Sequence, residues 1–141
     1  MNGGGLQMPD NKRILTISEW YLECQNITTQ LNKMSEKHGL SYDQFLVLEQ
    51  IVELGRNTPG QIAVVFGTSA PAASRKINTL QSKKFIRKIR DMENDQRNVW
   101  LEATEEGLRK YKALKKDITK HTGIKATDLE HLRQINQAII E

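Results

Sequence analysis

The chain has 141 residues, of which 38% are hydrophobic and 27% are charged, and this composition predicts one folded domain rather than a disordered segment. Its apolar runs are far shorter than the roughly 20 residues that span a bilayer, and its single cysteine, Cys24, excludes an internal disulfide and predicts a reducing cytoplasm. The net charge of +4 is unevenly distributed, because residues 69–97 contain eight basic and three acidic residues, a pattern typical of polyanion-binding segments.

The first two predicted elements are an arm and a long helix. Residues 1–11 include three consecutive glycines and no apolar core, so we expect a flexible arm there. Over residues 12–38 apolar side chains recur at intervals of three and four, which predicts a helix with a single apolar stripe. The stripe contains Ile14, Ile17, Tyr21, Cys24, Thr28 and Leu31. Such a helix usually packs against other helices or against a second subunit.

Three short helices are predicted next. Residues 41–44 and 58–61 have the spacing of a capping box, and Pro59 is suited to a first helical position because its missing N–H is not needed there. The third helix begins at Thr68 or Ser69 and runs to about residue 83. Its inward positions, spaced four and three apart, are Ala73, Ile77 and Leu80.

The hydrophobic period changes after this third helix. Residues 85–90 and 98–102 read as two strands around a polar loop, which predicts a hairpin. Thr104 then caps a helix, and residues 127–130 form a further capping-box pattern that opens a last helix. The predicted fold is therefore mainly α with a small β-hairpin.

Two short helices joined by a tight turn and followed by a hairpin are typical of a winged helix-turn-helix. Its second helix enters the DNA major groove, so its first residues must be small and its later residues must bond to bases or phosphates. In the hairpin loop, Arg97 is narrow enough for the minor groove and Asp95 can orient its guanidinium. We predict that double-stranded DNA is contacted by Ser69, Ala70, Ala72, Ser74, Arg75, Lys76, Asn78, Arg87, Lys88, Arg90, Asp95 and Arg97.

Several of these features together resemble the MarR family of bacterial regulators (multiple-antibiotic-resistance regulators). The matching features are residues 73–80, Phe85 with Ile86, the D-x-R pattern of Asp95 and Arg97, and the T-E-E-G sequence of residues 104–107. The order of elements agrees from about residue 12 to residue 140. One departure is Lys84, which stands where that family usually has glycine.

The resemblance implies a single domain over residues 12–141 with two roles. Residues 41–102 would form the winged helix-turn-helix that binds DNA, and residues 12–38 and 104–141 would supply dimerisation helices. It further implies a cytoplasmic homodimer that binds a palindromic operator and represses transcription until a small-molecule effector releases it.

Other signals are weaker. An effector pocket could be lined by Trp20, Tyr21, Cys24 and Met34, although such a stripe is more often plain core. Two alternatives stay open: a redox-responsive repressor that uses Cys24, and a winged-helix adaptor whose basic segment binds an acidic protein. No metal, cofactor or enzyme activity is expected, because no catalytic motif is present and metal-ligand spacing is lacking in His38, His121 and His131.

Overall fold

The computed structural model describes residues 8–90 and 98–140, and within them six helices and two strands follow in the predicted order. The elements are α1 (Asp10–Glu36), α2 (Tyr42–Val52), α3 (Pro59–Phe66), α4 (Ala70–Ser82), β1 (Ile86–Arg90), β2 (Val99–Ala103), α5 (Glu105–His121) and α6 (Ala126–Ile139). The predicted mainly helical fold with a small hairpin is confirmed. Helix α1 begins at Asp10, so the last two residues of the arm predicted over residues 1–11 are helical, and most of that arm lies outside the described residues.

The chain divides into two compact units. The winged unit comprises residues 31–120 and holds the end of α1, helices α2 to α4, the hairpin and nearly all of α5. The terminal unit comprises residues 1–30 and 121–141, and its described part holds most of α1 and all of α6.

The core of the winged unit is built from one side of each of its elements. The three inward positions predicted for α4 are all buried, as period-3.6 spacing requires. On α2 the buried apolar residues are Phe45, Val47 and Leu48. The full core consists of Leu40, Phe45, Val47, Leu48, Ile62, Ala73, Ile77, Leu80, Phe85, Ile86, Leu101, Tyr111 and Leu114.

The helix starts follow the local chemistry of their first residues. Capping boxes at Ser41 and Thr58 are both formed, and the Ser69 hydroxyl accepts a hydrogen bond from the backbone N–H of Ala72. The capping box predicted over residues 127–130 is wrong, because α6 begins at Ala126. There the Asp128 carboxylate accepts the N–H of residue 125 at 2.8 Å, which starts the helix two residues earlier.

The hairpin is antiparallel, with Ile86 opposite Ala103 and Ile89 opposite Trp100. Successive strand residues point to opposite faces, so Ile86 is buried whereas Ile89 and Trp100 are exposed on the outer face. The backbone N–H of Leu101 donates to the carbonyl of residue 57 at 2.7 Å, which ties β2 to the loop before α3.

The T-E-E-G sequence sets how closely α5 approaches the hairpin. The Thr104 hydroxyl accepts the N–H of Gly107 at 3.0 Å and donates to the carbonyl of Lys84 at 2.7 Å. A Cβ atom at Gly107 would lie 1.9 Å from the carbonyl oxygen of Phe85, so only glycine fits. Lys84 has a φ of 65°, in the left-handed region that favours glycine. Close backbone packing therefore explains the glycine at residue 107, whereas Lys84 occupies a conformation that favours glycine.

Candidate nucleic-acid interface

Helix α4 has an outward side opposite its buried positions. Ser74, Arg75 and Asn78 lie there and are exposed. The first turn is lined by small residues, because Ser69 caps the helix and Ala70 and Ala72 follow. A helix with this arrangement can approach a groove closely at its N-terminus and offer donors and acceptors along the next two turns.

The two neighbouring cations of α4 differ in their surroundings. The Nζ atom of Lys76 lies 2.7 Å from Oδ2 of Asp43 and 4.9 Å from the centre of the Phe66 ring. Lys76 therefore joins α4 to α2 and α3. The guanidinium of Arg75 is exposed and forms no ion pair with any other residue in the described part of the chain. Of the two cations, Arg75 is the one whose donors are available to a ligand.

The hairpin contributes cations beside α4. The Nζ atom of Lys88 donates to Oδ1 of Asn78 at 2.7 Å, so the structure brings these two predicted residues together. Arg87 lies 4.0 Å from Glu102 across the strands, and because both side chains are more than half exposed this pair contributes little to stability. Arg90 is exposed at the end of β1. The predicted wing contacts Asp95 and Arg97 lie outside the described residues.

The charge of the surface formed by α4 and β1 depends on its many basic residues and on the positions of the nearby carboxylates. Residues 69–90 contain seven basic residues and no acidic residue. Asp43 and Glu102 are each beside a cation of this face, at the distances given above. The surface of α4 and β1, which we call the α4 face, therefore keeps an excess of positive charge that suits a phosphate backbone.

Sequence reasoning missed the residues that hold Lys76. Asp43 and Phe66 lie on other helices, and no local pattern pairs them with α4. Lys83 is likewise held, because its Nζ atom donates to Oε1 of Gln44 at 2.8 Å. These pairings separate cations that support the fold from cations that face solvent.

The four candidate effector-pocket residues are divided between the units. Trp20 lines a cleft of about 720 Å³ in the terminal unit, together with side chains such as Ile17 and Ile135. Tyr21 is exposed and its hydroxyl accepts a hydrogen bond from Gln25. The thiol of Cys24 is free, and this residue is half-buried. Met34 instead packs against the core of the winged unit.

The residues with shifted pKa values lie where α5 packs on α2. The Tyr111 hydroxyl donates to Oε1 of Glu53 at 3.0 Å, and Lys115 contacts the same oxygen at 2.7 Å. The hydrogen bonds from Lys115 and Tyr111 lower the pKa of Glu53. Burial, and then the contact with Glu53, raise the pKa of Tyr111. Burial, and then the charge of Glu53, raise the pKa of Glu49. This contact lies inside the winged unit and stabilises α5 on α2.

The described residues form neither a metal-ligand cluster nor a membrane-spanning helix. In residues 8–90 and 98–140, no group of three or more His, Cys, Asp or Glu side chains could hold a metal ion. No helix within these ranges is long and apolar enough to cross a membrane.

Comparison with known proteins identifies the fold and the family. The sequence profile of the family described as transcriptional regulator SarA/Rot matches residues 29–114, more than half of the chain. No curated protein matches the sequence. Many solved structures share the fold, which confirms the resemblance to MarR regulators at that level.

Three of these structures are informative. The MepR–DNA complex of S. aureus has 13% sequence identity and a TM-score of 0.67, over 86% of this chain and 91% of that chain. S. aureus MarR in complex with salicylate and kanamycin has 18% identity and a TM-score of 0.68, over 92% and 91%. A cysteine-to-serine mutant of E. coli MarR complexed with operator DNA has 19% identity and a TM-score of 0.66, over 95% and 100%.

Proposed function

This chain belongs to the SarA/Rot family of transcriptional regulators, and on that premise we propose that it is a homodimeric repressor that reads a palindromic operator with its α4 face. The observation that carries the proposal is the outward side of α4, where small residues open the helix and Arg75 stands without an ion-pair partner among the described residues. Arginine can pair with both major-groove acceptors of guanine, so Arg75 would supply base recognition.

The remaining cations would position the helix rather than read bases. Lys88 and Asn78 are already hydrogen-bonded to each other, and Arg87 and Arg90 lie on the same strand as Lys88. Contacts of this kind go mostly to phosphates and fix register and orientation. In the proposed complex the wing residue Arg97, oriented by Asp95, enters the adjacent minor groove.

Dimerisation is proposed from the terminal unit. Helices α1 and α6 carry exposed aliphatic side chains there, among them Ile14, Ile17, Leu132 and Ile135. Burial of apolar area contributes roughly 25 cal/mol per Å², so these stripes favour association with a second copy. Two copies would then present two α4 helices to half-sites about one helical turn apart.

Fluorescence anisotropy with labelled DNA from the protein's own upstream region tests the operator reading. We expect Arg75→Ala to weaken binding by about 1–3 kcal/mol and to relax preference at one base position. Arg97→Ala should weaken binding across sequences. Lys37→Ala removes the same charge from an exposed position outside the α4 face and should leave binding unchanged. Binding no better than to random DNA would refute the proposal.

The same titration separates DNA binding from the adaptor hypothesis. Phosphate contacts make the logarithm of affinity fall linearly with the logarithm of salt concentration. A steep slope is expected for the repressor. Weak DNA binding that is insensitive to Arg97→Ala would support an adaptor for an acidic protein instead.

Effector release is the last part of the proposal. The similar S. aureus MarR structure contains salicylate and kanamycin, so salicylate is a suitable first probe. A ligand of the native state raises apparent stability, and we expect salicylate to raise the melting temperature and to release DNA. Release by peroxide that Cys24→Ser abolishes would favour the redox hypothesis. If neither treatment releases DNA, control by salicylate or peroxide is refuted.

A further inference from the structure

Helix α5 carries a second cationic surface that is separate from the α4 face. Residues 107–120 contain six basic residues and one acidic residue. Four of the cations recur at intervals of three and four, which places them on one side of the helix. This α5 stripe consists of Arg109, Lys112, Lys116 and Lys120.

The stripe faces away from the protein core. Tyr111 and Leu114 are buried on the opposite side of α5, whereas all four stripe residues are exposed. In the described part of the chain, none of the four forms an ion pair. Two charged neighbours on α5 have partners on other elements: Lys115 forms an ion pair with Glu53, and Oδ2 of Asp117 lies 2.9 Å from Nε2 of His38. A shallow depression of about 540 Å³ lies between the side chains of Lys112, Lys115, Lys116, Thr119 and Lys120.

The stripe and the α4 face lie on different helices of the winged unit. The opposite, buried sides of α4 and α5 both contribute to the core of that unit. Because no single helix carries both surfaces, a duplex that contacts both must reach beyond the site that α4 reads.

We propose that the α5 stripe is a second DNA-backbone contact, which holds the duplex that flanks the operator read by α4. The inference rests on the proposed function. The stripe extends over twelve residues, and the eleven rises of 1.5 Å between its ends make it about 16 Å long, whereas a duplex carries a charge about every 1.7 Å of its axis. Several phosphates therefore face the stripe. The flexible lysines can follow a backbone without reading bases.

Other occupants fit the stripe less well. Protein interfaces have apolar or aromatic residues at their centre and are depleted in lysine, but the depression on this stripe is lined by four lysines and a threonine, with no apolar or aromatic residue. A second copy of this chain that docked by the same face would bring like charges together, since a two-fold interface pairs a patch with itself.

The test compares two duplexes built on one core site, which the protein itself selects from a random library. The short duplex is the core site alone, and the long duplex extends it by about two helical turns on each side. The wild type should bind the long duplex more tightly. A variant with Lys112→Gln, Lys116→Gln and Lys120→Gln should lose about tenfold of its affinity for the long duplex, keep its affinity for the short one, and show a salt slope shallower by about 3 on the long duplex.

A matched variant with Lys12→Gln, Lys33→Gln and Lys37→Gln changes the net charge by the same amount. The first two lysines lie on α1, the third directly follows it, and all three are exposed. It should keep the length effect. The inference is overturned if the wild type binds both duplexes equally well, or if the α5 variant loses affinity equally on both. It is also overturned if the α5 variant changes oligomeric state, or if RNA or an acidic protein binds the stripe in preference to DNA. If the short core site itself is not bound specifically, the proposed function fails as well.

Discussion

The two units of the chain use the same kind of helix and reach different outcomes. In the winged unit, Leu48 and Leu80 are 0% exposed. In the terminal unit, Ile14 is 62% exposed and Leu22 is 61% exposed, and no residue in its described part is fully buried. The spacing of three and four therefore shows which side of a helix must be covered, but it does not show what covers it.

This difference has a consequence for stability. The winged unit buries its own apolar residues, so its folding depends on intramolecular contacts. The terminal unit leaves its stripes exposed, so in the proposed dimer their burial would depend on association and on protein concentration. Substitutions in the first unit should alter unfolding, and substitutions in the second should alter assembly.

The largest expected effect is that of Gly107→Ala in the winged unit. The added Cβ would meet the backbone of Phe85, which cannot rotate away as a side chain can. We expect a loss of about 3 kcal/mol or more in the free energy of unfolding, measured by denaturant titration. Gly60→Ala is the matched control, because its Cβ would meet no atom within 4 Å, and alanine should leave stability unchanged or raise it. Equal stability of the two variants would show that α5 does not pack this closely on the hairpin.

The next effect should appear in assembly rather than in unfolding. Ile17→Asp places a carboxylate in the apolar stripe of α1, and burial of an unpaired charge is unfavourable. We expect the proposed dimer to dissociate about 30-fold more readily, which corresponds to about 2 kcal/mol, measured by sedimentation across a concentration series. Asn26→Asp, on the opposite side of α1, is the control and should not alter assembly. A wild type that is monomeric at all concentrations would refute the claim that association covers the apolar stripes of the terminal unit.

Much of the winged unit could be predicted from sequence because local rules determine it. Capping patterns at Ser41 and Thr58 and the spacing of Ala73, Ile77 and Leu80 each act within one helix. The predicted start of α6 is wrong because Thr127 and Asp128 are both capping residues, and in the structure it is the Asp128 carboxylate that accepts the backbone N–H at the helix start. The odd spacing of Ile86 and Ile89 places them on opposite faces of a strand, but it does not show which of the two faces the core, and the structure buries Ile86.

The candidate site was less predictable where contacts join distant residues. Arg75 and Lys76 are adjacent and equally basic, and only the fold places Asp43 beside one of them. The overall charge of the C-terminal segment does not indicate the α5 stripe. Residues 98–141 contain eight basic and seven acidic residues, so their net charge is close to zero, although the basic residues of α5 lie on one side of that helix. The charge along one side of α5 does indicate it.

A smaller and pH-dependent effect is expected where α2 packs on α5. The pKa of Glu49 is raised, so the folded protein binds that proton more tightly than the unfolded chain does, and ionisation of Glu49 costs stability above the folded pKa. Glu49→Gln should therefore be more stable than the wild type at pH 7, and the difference should vanish below about pH 4. Denaturant titrations at several pH values measure it.

Glu53→Gln removes the same charge one turn away and should act in the opposite direction. The pKa of Glu53 is lowered, so its contribution to stability is present above the unfolded pKa and is lost as the pH falls through the folded one. This variant should be less stable than the wild type at pH 7 and equal to it in acid. If both variants changed the free energy of unfolding in the same direction at pH 7, the stabilising role of the hydrogen bonds from Tyr111 and Lys115 to Glu53 would be contradicted.

The smallest effect is expected at Lys84, where the winged unit is locally strained. A residue with a side chain is disfavoured at a φ of 65°, and glycine adopts that conformation without a steric penalty. Glycine also increases the entropy of the unfolded chain, which offsets part of the gain. We expect Lys84→Gly to raise the free energy of unfolding by about 0.5 kcal/mol, whereas Lys84→Ala, which keeps the strain, should not. Because Lys84 lies in the winged unit, neither variant should alter dimerisation, and a change in assembly instead of stability would contradict the division between the two units.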